Sequence, residues 1–138
     1  DLVVIAKPDR NINISSRPEK KIDISGAMET VSRIVKSLQN EVNRHENVAI
    51  WSAGHRALAL MAISKLNRIK YVVDSAVFKQ GKFTPILHKK IISPEEFIKT
   101  KCDLLIIMLP GNYAEQVTRF VEEKQITCKV IVFEDKEL

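Results

Sequence analysis

Residues 48–57 read VAIWSAGHRA, and this stretch decides the fold. Val48 to Trp51 form a short apolar run that is typical of a buried strand. The small residues 52–54 then make a tight turn, and a helical pattern of apolar residues begins at His55. A buried strand, a tight turn and a helix in this order predict the first part of a β-α-β unit.

The same alternation continues along the chain. Further strands are predicted over residues 69–73, 104–109 and 129–133, and helices over 55–67, from a Ser93 cap to about 101, and over 113–124. Upstream, the patterns predict a strand at 2–6, a polar linker at 8–25 and a long amphipathic helix at 27–46 with Ser25 as its N-cap. The sequence therefore predicts an α/β fold, a Rossmann-like parallel sheet of about four strands with helices on both faces, preceded by that strand, linker and helix.

Composition excludes several classes of protein. The chain has 138 residues, a net charge of +5, 45% hydrophobic and 28% charged residues, as expected of one globular domain. No apolar run approaches the roughly 20 residues of a membrane span, so no membrane is expected as a partner. The basic residues are spread along the chain without a nucleic-acid-binding motif, so no nucleic acid is expected either.

The cysteines and histidines give no sign of a metal site. The chain has only two cysteines, Cys102 and Cys128, which lie far apart in sequence and inside or beside apolar runs; this excludes a disulfide framework and a cysteine-based zinc site and fits the reducing conditions of the cytoplasm. His45, His55 and His88 lack the spacing of metal ligands, so no metal is expected in this chain. His55, Asp74 and His88 are the candidate general bases, yet nothing in the sequence indicates that any of them is activated. The pattern is that of a binding domain.

The predicted site lies beyond the carboxyl ends of the strands, where parallel sheets bind ligands. The first loop, with Ser52, Ala53, Gly54, His55 and Arg56, copies the dinucleotide-binding spacing G-x-G-x-x-G/A with serine in the first place and alanine at 57. Small residues there let a phosphate approach the free N–H groups of the helix, and two side chains add donors. Tight turns in any α/β protein also need small residues, so both interpretations stay open.

Two later loops complete this predicted site. Asp74 follows the second strand 20 residues after Gly54, the usual place of an acid that binds ribose hydroxyls, although it could equally cap a turn. Lys79, Gly81 and Lys82 form a basic loop that suits a pyrophosphate or is simply solvated.

The third loop follows the strand at 104–109. Pro110 and Asn112 lie at its carboxyl end, with Asn112 either lining the site or capping the next helix.

Five segments together resemble one family: VAIWSAGHRA (48–57), YVVD (71–74), KQGKFTP (79–85), IISPEEF (91–97) and LPGNYA (109–114). In order and spacing they are similar to the C-terminal Rossmann-like domain of S-adenosylmethionine (SAM)-dependent sugar C-methyltransferases. The KQGKFTP loop followed by the SPEE helix start is the most specific part of the resemblance, which covers about residues 27–134.

The resemblance implies that residues 1–26 end an upstream methyltransferase domain and its linker, and that 27–138 bind a nucleotide-linked sugar. SAM and the catalytic residues would then belong to the upstream part of the full-length enzyme. Substrate contacts would fall on Ser52, Ala53, Gly54, Asp74, Lys79 and Lys82. The family's loop usually reads G-A-x-x-K-G, and Arg56 stands here for its lysine. Two alternatives stay open, a non-catalytic nucleotide- or dinucleotide-binding regulatory domain and an NAD-dependent redox domain.

Overall fold

The structure is a computed structural model and describes residues 23–133. The strand predicted at 2–6 and most of the linker at 8–25 lie outside this range. The helices are α1 (Ser25–Asn43), α2 (His55–Ile63), α3 (Pro94–Phe97) and α4 (Asn112–Glu123), and the strands are β1 (Val48–Trp51), β2 (Ile69–Val73), β3 (Ile91–Ile92), β4 (Leu104–Ile107) and β5 (Lys129–Val132).

All five strands lie parallel in one sheet, in the order β3-β2-β1-β4-β5. The chain builds outward from β1 to β3, then crosses back to β4 on the other side of β1. The strand order therefore reverses between β1 and β4, which is where a doubly wound sheet opens a crevice for ligands. The predicted fold class is confirmed. The strand count is five rather than about four, because β3 has only two residues and is too short to show a pattern.

Helices cover both faces of the sheet with apolar contacts. On one face, α1 and α2 pack against Val48 and Ile50 and their neighbours. On the other face, α3 and α4 pack against residues that include Trp51, whose ring meets Phe97 and Phe120 edge-on at centroid distances of 5.6 and 5.3 Å. Burial on both sides explains why β1 and β4 are apolar at every position.

The start of α1 and the end of α2 differ from the sequence prediction. Ser25 is the first residue of α1 and not its N-cap, so that prediction is wrong. The Ser25 amide instead donates a hydrogen bond to the Asp23 carboxylate (2.9 Å). α2 ends at Ile63 because the chain turns at Lys65, which has a positive φ of 48°.

At the starts of α3 and α4, the predicted Ser93 cap is confirmed, and the capping alternative for Asn112 is not found. Ser93 caps α3, since its Oγ accepts a hydrogen bond from the Glu96 amide (3.1 Å), with Pro94 in the first helical position. α3 nevertheless ends at Phe97, well before residue 101. Asn112 is the first residue of α4 and not its cap, which is Gly111 with a φ of +49°.

Candidate functional site

The turn after β1 begins with a residue in an unusual backbone conformation. The Ser52 amide still donates to the Val73 carbonyl (2.9 Å), so the β1–β2 ladder extends one residue beyond β1. Its φ of 132° lies in a region that favours glycine and costs about 1–3 kcal/mol for other residues. Ser52, at the first position of the G-x-G-x-x-G/A spacing, therefore has a backbone conformation that favours glycine, and the residue is buried.

Gly54 is needed for space. A Cβ at this position would lie 3.1 Å from Ser52 Oγ, the same atom that accepts a hydrogen bond from the Gly54 amide (3.0 Å). Gly54 is also the N-cap of α2, so the helix starts right after the turn and its first amides have no partners within the helix. His55 and Arg56 are exposed at this helix end, which carries partial positive charge.

Asp74 links the first two loops. Its Oδ2 accepts a hydrogen bond from the Ala53 amide (2.7 Å) in the turn after β1, and its Oδ1 accepts one from the Ala76 amide (2.9 Å) in its own loop. Oδ2 also pairs with Lys79 Nζ at 2.9 Å. Asp74 is 7% exposed, so the two loops are joined by a buried carboxylate with three donors. Asp74 therefore does cap a turn, as one of its two predicted roles requires.

Asp74 is held in its charged form. Burial is the largest single influence and disfavours the charge, but the donors from Ala76, Lys79 and Ala53 together outweigh it, so the pKa of the Asp74 carboxyl lies below its ordinary value. An ionised carboxylate accepts hydrogen bonds only, which suits both the N–H groups it now binds and the hydroxyls of a ribose.

Lys79 and Asp74, predicted as a phosphate ligand and a ribose ligand, are paired with each other. The Lys79 side chain is 28% exposed and also lies over the ring of Phe78, at 5.7 Å from Nζ to the ring centroid. Gln80 adds a hydrogen bond from Nε2 to the Asp74 carbonyl (3.1 Å). The loop is thus organised around Asp74 as far as residue 80.

Gly81 and Lys82 are bonded to the start of β3 and not to Asp74. The Gly81 amide donates to the Ile91 carbonyl (2.9 Å), and the Ile91 amide donates to the Lys82 carbonyl (2.8 Å). Phe83 then pairs with Lys90 in an antiparallel bridge, so the backbone runs back along the outer edge of β3. The structure does not join Lys82 to Asp74, and its role in phosphate binding stays a prediction.

The first and third loops meet at a cavity of about 190 Å³ on the α1–α2 face of the sheet. Arg56 and Pro110 both line it, so the structure brings these two predicted site residues together. Asn112 is exposed at the start of α4. The remaining lining is apolar: Val31, Ala57, Ala59, Leu60, Ile63, Met108, Leu109 and Phe133.

Sequence reasoning missed several residues of this site. Ala76 and Phe78 contact Asp74 and Lys79, and Phe133 lines the cavity. An aspartate whose side chain accepts from the amide two residues later is a common turn, and that signal could have found Ala76. Phe133 follows β5 in sequence and reaches the cavity only through tertiary packing, which no local pattern reveals.

Within residues 23–133, no group of three or more His, Cys, Asp and Glu side chains is arranged to hold a metal ion. The same part of the chain has no helix long and apolar enough to cross a membrane. Cys102 and Cys128 are both free thiols. A hydrogen bond with the Cys128 thiol and burial raise the pKa of Cys102, which keeps it protonated and unreactive.

Comparison with known families identifies the domain. A family model described as the C-methyltransferase C-terminal domain matches residues 25–132. The chain belongs to this family. It is therefore related to one part of a class of transferases. The comparison with curated proteins gives no match.

Solved structures with a similar fold belong to a different kind of protein. RSP, a Rex-family repressor, is 14% identical with a TM-score of 0.53, and the match covers 86% of this chain and 56% of that chain. RSP in complex with beta-NADH is 15% identical, with a TM-score of 0.49 and coverage of 78% and 54%. The chain spans little more than half of these proteins, and at such low identity the likeness shows the Rossmann-like fold alone.

Proposed function

We propose that this domain binds the nucleotide-linked sugar substrate of a SAM-dependent C-methyltransferase. The observation that carries the proposal is the family match over residues 25–132, which includes the β1–α2 turn and the loops after β2 and β4. These loops surround the point where the strand order reverses. In the full-length enzyme, SAM and the catalytic residues belong to another domain.

Each part of the site has a role that fits its chemistry. The start of α2 and the Arg56 guanidinium offer N–H donors and positive charge to a diphosphate. The Asp74 carboxylate accepts hydrogen bonds from ribose hydroxyls, and Lys79 supplies a second cation. Pro110 and Asn112 border the same edge of the sheet from the β4 side.

The domain itself supplies binding and orientation. In the full-length enzyme a base would remove a proton beside the keto group of the sugar, and the resulting carbanion would take the methyl group from SAM as the sulfur–carbon bond breaks. Because we place that base elsewhere, incubating this domain alone with SAM and a nucleotide-sugar should transfer no methyl group. We place the enzyme in the cytoplasm, where its two free thiols stay reduced, and propose no nucleic acid or membrane as its partner.

Isothermal calorimetry tests the proposal with thymidine diphosphate, uridine diphosphate and NADH. Micromolar to millimolar binding of one nucleoside diphosphate is expected, since each polar contact contributes roughly 1 kcal/mol net. Arg56→Ala should weaken that binding about ten- to a hundredfold, whereas Arg119→Ala, which removes an exposed arginine from α4, should leave it unchanged.

Two results would count against this function. Tighter binding of NADH than of either diphosphate would favour the dinucleotide-sensor or redox alternatives. Equal binding of the diphosphates by the Arg56 and Arg119 variants would place the anion site elsewhere on the domain.

A further inference from the structure

The three donors to Asp74 differ in how easily they can leave. Two of them, the Ala53 and Ala76 amides, are backbone groups fixed by their loops. The third, Lys79 Nζ, is at the end of a flexible four-carbon side chain. The 3₁₀ turn of residues 77–79 is held by backbone hydrogen bonds, such as that from the Lys79 amide to the Ala76 carbonyl (2.9 Å), so the shape of the loop does not depend on the ammonium alone.

The contacts that hold Lys79 in place are of a kind that exchanges readily. The Lys79 side chain is 28% exposed, so water can solvate its ammonium as it leaves, and the Ala53 and Ala76 amides still bind the buried carboxylate. Phe78, whose ring lies under the ammonium, is itself 71% exposed. A diphosphate carries more charge than one carboxylate and therefore competes well for the same ammonium.

We propose that Lys79 determines the specificity of the site by covering Asp74 until an anionic group of the ligand draws its ammonium away. This inference rests on the proposed function. A neutral nucleoside must displace Lys79 from Asp74 Oδ2 without offering it another partner. A nucleoside diphosphate offers that partner itself, so one movement supplies a phosphate contact and frees a carboxylate oxygen for the ribose. The site thereby selects nucleoside diphosphates over nucleosides.

The test is a grid of affinities for thymidine, thymidine diphosphate, uridine and uridine diphosphate. With Lys79→Met, the diphosphates should bind roughly tenfold or more weakly, while the nucleosides bind several-fold more tightly. Lys79→Arg retains the charge and should keep nucleoside affinity low. Lys124→Met removes an exposed lysine that follows α4, outside the predicted site, and should change neither class of ligand. Thermal unfolding of each variant checks that it is folded.

The outcomes separate this inference from the function it rests on. If the wild-type domain binds a diphosphate but Lys79→Met leaves nucleoside affinity unchanged or lowers it, Lys79 does not cover Asp74, and the proposed function stands. If the wild-type domain binds neither diphosphate, the proposed function fails and this inference fails with it. Opposite changes for the two ligand classes would support both.

Discussion

Two aspartates join loops at opposite ends of the same sheet. Asp74 follows β2 at the carboxyl edge and accepts a hydrogen bond from the Ala53 amide, just after β1 (2.7 Å). Asp103 precedes β4 at the amino edge and accepts one from the Asn47 amide, just before β1 (2.9 Å). Each carboxylate therefore connects the central strand β1 to a neighbouring strand.

The surroundings of the two aspartates differ. Asp103 Oδ2 also accepts from the Asn47 side-chain amide (2.8 Å), the Asp103 amide donates back to the Asn47 carbonyl (2.8 Å), and Lys70 donates to the Asn47 side chain. These contacts are reciprocal and complete the start of the β1–β4 ladder. Asp74 instead lies between a turn with a strained backbone at Ser52 and the partly exposed side chain of Lys79. A carboxylate that accepts a backbone amide thus completes the β1–β4 ladder at the amino edge, whereas at the carboxyl edge it shapes the loop after β2.

Replacing Asp74 tests this difference with the largest expected effect. Asp74→Ala removes a buried acceptor from two amides and one ammonium, so the free energy of unfolding should fall by about 3 kcal/mol. Affinity for a nucleoside diphosphate should fall more than tenfold, because the ribose contact and the shape of the turn are both lost. Chemical denaturation and calorimetry measure the two effects, and Asp74→Asn provides a milder variant if the alanine variant does not fold.

Replacing Asp103 should separate stability from binding. Asp103→Ala removes the bonds to Asn47 at the amino edge, so the melting temperature should fall, and by less than for Asp74→Ala because Asp103 is more exposed. Diphosphate affinity should stay within twofold of wild type, since no ligand is expected at the amino edge. A large loss of affinity in a folded Asp103 variant would remove the distinction between the two edges.

The sequence predicts more of the structure at the carboxyl edge of the sheet than at the amino edge. The G-x-G-x-x-G/A spacing located the turn after β1, and the position of Asp74 at the end of a strand placed it at the same edge. The pairing of Asp74 with Lys79 was not predicted, because it depends on how the loop after β2 folds back. The Asp103–Asn47 contact was missed entirely, since 56 residues separate the partners and neither lies in a recognised motif.

A double-mutant cycle at the turn examines its close packing. Gly54→Ala places a methyl group 3.1 Å from Ser52 Oγ and should cost about 1 kcal/mol of stability. Ser52→Gly relieves the positive φ but loses one hydrogen bond, so its net effect should lie within about 1 kcal/mol of zero. In the Ser52→Gly background the cost of Gly54→Ala should fall by ~0.5 kcal/mol or more, since the opposing oxygen is gone. Strict additivity in urea denaturation would show that the two residues do not interact.

The smallest expected effect is the pH dependence that Asp74 gives to stability. Because its folded-state pKa lies below its ordinary value near 3.8, the unfolded chain binds more protons between these two values, and stability rises with pH there. The stability difference between wild type and Asp74→Asn should therefore be constant from pH 7 down to about pH 5, and should shrink as the pH falls below about 4. Asp103→Asn should show the same sign, because hydrogen bonds from the Asn47 amide and side chain lower the pKa of Asp103 too. Urea midpoints measured down to the lowest pH at which the proteins stay folded provide the comparison. If the stability difference between wild type and Asp74→Asn stays constant down to the lowest pH measured, the charge of the carboxylate does not contribute to joining the two loops.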